Sequence, residues 1–118
     1  MIKISDTLCD NGFSTQFLSD GWKVAFVTYA EQYDQLKVVK RHNLTDEVFV
    51  LINGSATLYT SDQQVPNHLI KTTLQHKKAY NVEKGTWHHL QVSKDAFLVV
   101  VENSNTSKEN TDTFSLDK

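Results

Sequence analysis

Apolar and β-branched residues recur with a period of two along this chain, in short runs separated by turn residues, and a 3.6-residue period is almost absent. The pattern predicts strands over 22–29, 36–40, 47–52, 55–60, 69–74, 79–82, 86–92 and 96–102. The runs EVFVLI and AFLVVVE, at 47–52 and 96–102, are nearly continuous in apolar residues, which predicts burial on both faces for the first and deep burial for the second. Asn53-Gly54 is the strongest short hairpin signal, so 55–60 is expected to pair back onto 48–52. Residues 1–21 are mixed, with turn signals at Asn11-Gly12 and Asp20-Gly21, and 13–18 offers a weak helix candidate. Beyond 102 the chain is polar apart from Phe114 and Leu116. This predicts a core over about 22–102 and a tail, 103–118, that is solvated or draped on the surface. Eight short strands without repeats predict an all-β barrel or sandwich.

Composition narrows the class. At 118 residues the chain suits one domain with a single core. Apolar residues at 39% and charged residues at 22% argue against disorder. A formal net charge of −2 supplies no basic field for nucleic acid. No apolar run approaches the roughly 18 to 20 residues that span a bilayer. The N-terminal residues carry neither a signal-peptide apolar region nor a lipidation motif, and the single Cys9 suits a reducing compartment, so a cytoplasmic protein is expected.

The candidate chemistry lies in two segments. His42 and Glu47 flank the polar turn 43–46, and if the flanking strands pair, both side chains converge on one space. His88, in Gly85-Thr86-Trp87-His88, offers a third metal-capable group. Alternation puts Lys40 and His42 on one face, and likewise His88 and Leu90, while Trp87 and His89 point the other way. His42, Glu47 and His88 then form a two-His, one-carboxylate set suited to a divalent transition metal such as Fe, Mn, Ni or Zn. The alternative is a metal-free barrel mouth in which the two histidines are hydrogen-bonded and Glu47 pairs with Lys40. A buried carboxylate needs one neutraliser or the other. Lys40, Glu47 and His88 are the catalytic candidates, Lys40 as a general base or as the anchor of an anionic substrate. Trp87 is expected to stack on a ligand or to fill an inter-sheet or subunit contact. Tyr29, Phe49 and Tyr59 line the cavity or fill it, and His68 and His76 are expected to be solvated.

These same residues resemble the motifs of a small single-domain cupin, an RmlC-like jelly-roll β-barrel. The family's first motif, G-x5-H-x-H-x3-4-E-x6-G, aligns with Glu47 and Gly54 at its end, His42 at the second His and Lys40 at the first. Of the second, G-x5-P-x-G-x2-H-x3-N, residues 85–88 supply the G-x2-H. Asp34 and Lys77 stand at the leading glycines, Glu83 at the proline and Val92 at the terminal Asn. Lys40 removes one of four usual metal ligands. The likeness spans about residues 36–102 and implies a cupin-type jelly-roll β-barrel. Within the family, the sequences around His88 and Phe97 are similar to ureidoglycolate lyase-like proteins and to metal-free sugar-nucleotide keto-isomerases.

Three functions follow as expectations. The first is a metal-dependent enzyme acting on a small polar carboxylate or carbonyl metabolite. The second is a metal-free sugar-nucleotide keto-isomerase, against which Lys40 counts because that group uses an intact His pair. The third is a non-catalytic small-molecule binder. The partner expected in each case is a small molecule, with neither nucleic acid nor membrane, and an exposed sheet edge leads us to expect a homodimer.

Overall fold

The computed structural model describes residues 1–116. Ten strands follow in order: β1 (Phe13–Leu18), β2 (Lys23–Thr28), β3 (Val38–His42), β4 (Glu47–Asn53), β5 (Ala56–Ser61), β6 (Ile70–Thr73), β7 (Ala79–Val82), β8 (Trp87–Val92), β9 (Phe97–Glu102) and β10 (Thr111–Ser115). Single 3-10 turns at Glu31–Tyr33 and Lys108–Asn110 are the only helical elements among the described residues. The strands form two five-stranded antiparallel sheets, β1-β2-β9-β4-β7 and β10-β3-β8-β5-β6. Face to face they make the cupin-type jelly-roll β-barrel.

The core lies between the sheets. Ala25, Val27, Phe49, Leu51, Leu98 and Val100 come from the first sheet, and Ala56, Leu58, Leu90 and Val92 from the second. Every second residue of each strand points inward, as the pleat requires. The two apolar runs are therefore buried on one face only. Along β4 the residues Glu47, Phe49 and Leu51 are buried, Val48 and Val50 are half-buried and Ile52 is exposed; along β9, Val101 is exposed. No helix among the described residues covers the outer face of this sheet, in contrast to a parallel sheet, so unbroken hydrophobicity here does not mean two buried faces.

Three other expectations are corrected. Asn53-Gly54 does not close a hairpin, because β4 pairs with β7 and β9 while β5 pairs with β6 and β8. The Gly54 conformation, φ 76°, instead carries the chain from one sheet to the other, and its carbonyl accepts from His76. Residues 13–18 form an edge strand rather than a helix, with the buried polar groups of Ser14 and Gln16 satisfied by the N-terminal segment. Tertiary pairing overrides a weak local preference there. The tail is not a loose cover: Thr111–Ser115 adds β10 to the edge of β3. Asp112 pairs with Arg41 at 2.6 Å, the Arg41 guanidinium lies 4.3 Å from the Trp87 ring centre, and Phe114 meets the same ring edge-on. The outward-pointing Trp87 is thus buried by the chain's own last strand.

Candidate metal centre

His42 ends β3 in one sheet and Glu47 begins β4 in the other, so the turn 43–46 crosses the mouth of the barrel and joins no hairpin. Their side chains converge because the two sheets face each other, not because the strands pair. His88 lies beside His42 on β8, and its Cα partner across the β3 register is Lys40. The surrounding loops are tied together by backbone and side-chain bonds. Gly85 N–H donates to the His42 carbonyl at 2.8 Å, Lys84 N–H donates to the Asp46 carboxylate at 2.8 Å, and Asn43 N–H donates to the Asn110 carbonyl at 2.9 Å. Thr45, buried, shares a hydroxyl hydrogen bond with Thr106 at 2.8 Å. Lys77, at the position of a motif glycine, keeps φ 67°, the left-handed conformation glycine adopts most easily.

Both imidazoles present Nε2 to the same carboxylate oxygen: Glu47 Oε1 is 3.3 Å from His42 and 3.2 Å from His88. The other ring nitrogens define the tautomers. His88 Nδ1 lies 3.0 Å from the Thr86 carbonyl, which only accepts, so Nδ1 carries the hydrogen. His42 Nδ1 lies 2.9 Å from the Thr111 hydroxyl, whose own hydrogen is donated to the Ser107 carbonyl at 2.6 Å. That hydroxyl therefore accepts from His42 Nδ1–H. In the neutral rings, both Nε2 lone pairs face the Glu47 oxygen, and such an arrangement requires a positive charge between them. A metal ion or added ring protons would supply it.

The donor set fits a metal. Nitrogen and oxygen ligands at about 2.0 to 2.2 Å from an ion, at angles between octahedral and tetrahedral, stand about 2.8 to 3.6 Å apart. The two His–Glu separations fall in that range, and one donor atom from each of the three residues lies within 4.8 Å of the others. With no ion at the site, protons on the two Nε2 atoms supply that charge. Burial alone would raise the Glu47 carboxyl, but the His42 and His88 hydrogen bonds and charges win and hold it down to about 2. Burial would lower His88, and Glu47 overrides it to raise this imidazole.

The site opens into a cavity of about 530 Å³ lined by Phe13, Tyr33, Lys40, Phe49 and Glu102, among others. Lys40 reaches the cavity but is exposed and forms no ion pair among the described residues, so the Lys40–Glu47 pair of the alternative reading is absent. Phe49 lines the cavity, whereas Tyr29 bonds to Asp34 and Tyr59 to Gln91 away from it. His89 also borders the cavity, with a buried Nε2 that has no partner among the described residues. His68 is exposed, as expected, while His76 is exposed but bonded to Gly54. Sequence reasoning missed Thr111, Tyr33 and Glu102. Glu102 is the cross-strand partner of Glu47, buried, and ion-paired to Lys23 at 2.9 Å. Burial, then the Glu47 charge, raises its carboxyl against the opposing pull of Lys23. The alternation of Glu102 with buried Leu98 and Val100 along β9 was a signal that it faces inward.

No protein-family model matches the sequence, and no sequence relative is found among characterised proteins. Solved structures do match. An RmlC-like cupin with a double-stranded β-helix fold from Methanocaldococcus jannaschii superposes with a TM-score of 0.64 at 14% identity, over 93% of this chain and 97% of that one. A cupin-2 domain protein from Shewanella frigidimarina gives 0.59 at 20% identity, over 77% and 78%. The Streptomyces protein Pac13, a nucleoside dehydratase, gives 0.69 in a variant form with uridine, at 9% identity over 100% and 95%. At these identities the likeness concerns architecture alone: the chain has the cupin fold.

Proposed function

We propose that this protein is a metal-binding cupin, an enzyme acting on a small polar carboxylate or carbonyl compound. One observation carries the reading: two tautomer-locked imidazoles aim their lone pairs at one buried carboxylate oxygen, at separations a metal ion imposes on its ligands. His42, Glu47 and His88 would hold the ion, and Thr111 and the Thr86 carbonyl orient the rings. A bound divalent ion supplies Lewis acidity toward a carbonyl or carboxylate oxygen. Phe13, Phe49 and Leu90 give the cavity an apolar lining, and Lys40 borders it, exposed and with no ion pair among the described residues. Ureidoglycolate lyase-like chemistry is one reaction of this type. The homodimer belongs to the same reading: Val24, Phe26, Val48, Val50, Val99 and Val101 form a continuous, partly exposed apolar outer face of the kind copies of a chain cover for one another.

A second reading rests on the raised His88 imidazole: protonated, it makes with Glu47 a metal-free acid–base pair, as an isomerase or dehydratase would need. Metal stoichiometry separates the two. Tag-free protein titrated with Zn(II), Mn(II), Fe(II) and Ni(II) near neutral pH should bind one ion per chain. His42→Ala and His88→Ala should each abolish that binding while the circular dichroism remains that of a β-protein. Absence of binding at micromolar metal would leave the acid–base pair or a non-catalytic small-molecule binder.

A further inference from the structure

The cavity has a side that the three ligands do not explain. A single segment, 32–40, supplies Tyr33, Lys37 and Lys40 to its wall. Tyr33 is half-buried, yet its hydroxyl has no hydrogen-bond partner among the described residues. Burial, and after it the charge of Glu47, pushes this phenol up to about 12, so it remains a donor at any ordinary pH. The ring is seated by the fold: a Cβ on Gly12 would come within 2.7 Å of its edge, and Gly12 has φ 82° and accepts from Thr28 N–H at 2.8 Å. The turn glycine leaves the space that the Tyr33 ring occupies.

Charge points the same way. The two carboxylates of the cavity are both engaged, Glu47 by two histidines and Glu102 by Lys23. Lys37 and Lys40 are exposed, border the cavity and have no carboxylate partner among the described residues. The uncompensated charge at the mouth is therefore positive, and the facing sheet offers an apolar wall, with Phe13 and Phe49.

We infer that Tyr33 and Lys40, with Lys37, form the substrate-recognition half of the site, and that the ligand is a 2-hydroxy or 2-oxo acid. Its carboxylate meets the lysines, its 2-oxygen accepts from the Tyr33 hydroxyl near the His42–Glu47–His88 end, and its apolar body lies against the phenylalanines. An acid of this kind carries a carboxylate for a cation and a second oxygen for a donor, and the one segment 32–40 brings both groups to the cavity. The inference rests on the proposed function and names the substrate class for that site.

The test is calorimetry of the Zn(II)-loaded full chain with 2-hydroxy acids from glycolate to mandelate and with their neutral amides. At least one acid should bind, about tenfold or more tighter than its amide, in keeping with the strength of charge-assisted hydrogen bonds. Lys40→Met should erase the preference for acid over amide, and Tyr33→Phe should weaken acid and amide alike, both with zinc affinity unchanged. Equal affinity for acid and amide, a preference surviving Lys40→Met, or no binding of any acid at millimolar concentration overturns the inference. Failure of zinc to bind is read in the same instrument and counts against the metal centre alone. The acid-to-amide ratio is then measured on the metal-free protein, where Tyr33 and Lys40 still decide the outcome.

Discussion

Thr111→Val puts the site to its sharpest test, because it removes one oxygen atom that no metal touches. The Thr111 hydroxyl accepts from His42 Nδ1–H at 2.9 Å and donates to the Ser107 carbonyl at 2.6 Å. Valine has nearly the same shape and suits a strand, so β10 should keep its pairing with β3. The His42 N–H then loses its acceptor in a part-buried setting, a penalty of about 1 to 3 kcal/mol. The ring also becomes free to carry its hydrogen on Nε2, which withdraws the lone pair from the metal. Loss of such an outer partner typically weakens metal binding about 10- to 100-fold. The assay is competition for Zn(II) against a chromogenic chelator, with circular dichroism and thermal melting as controls and Thr111→Ser as the conservative variant. Thr111→Ser should restore affinity to within a few-fold of the wild type. Zinc affinity unchanged in a folded Thr111→Val protein would show that the tail neither orients His42 nor fixes its tautomer.

Two further predictions concern pH and the sheet crossing. In the metal-free protein Glu47 is held below its ordinary 4.5, so its stabilising contribution is full above that value and is lost as pH falls from there toward 2; His88 is raised above its ordinary 6.5, so its contribution is present below 6.5 and is lost as pH climbs through the folded value. The metal-free melting temperature should therefore be highest between about pH 4.5 and 6.5, whereas metal binding needs neutral imidazoles, so the shift produced by added Zn(II) should be absent near pH 5 and grow above about pH 6; a zinc-induced shift independent of pH would exclude histidine ligation. Gly54→Val should destabilise the fold by about 2 kcal/mol or more, since its φ is 76° and a Cβ would stand 2.7 Å from Ala96 Cα and Ser93 Oγ; a melting temperature equal to the wild type would show that this crossing tolerates a side chain.

Eight of the ten strands, to within a residue or two, the all-β class and the three metal-capable residues were legible in the sequence because each rests on local physics. Alternation follows from the pleat, and His42, Glu47 and His88 are chemically conspicuous in a chain with five histidines. Which strands pair was not legible. Asn53-Gly54 permits positive φ whether the chain folds back as a hairpin or passes to the facing sheet, and only long-range pairing of β4 with β9 and of β5 with β8 decides between them. The strand in the tail was hidden for a related reason: in Thr-Asp-Thr-Phe-Ser the inward residue, Thr111, meets a polar site instead of the core, so the alternation carries no hydrophobic signal. Tyr33 lies in a polar link, and nothing local says that Gly12, twenty-one positions earlier, leaves room for its ring. Side-chain chemistry is written residue by residue, but the space in which those side chains meet is made by contacts between distant segments, and those exist only in the folded barrel.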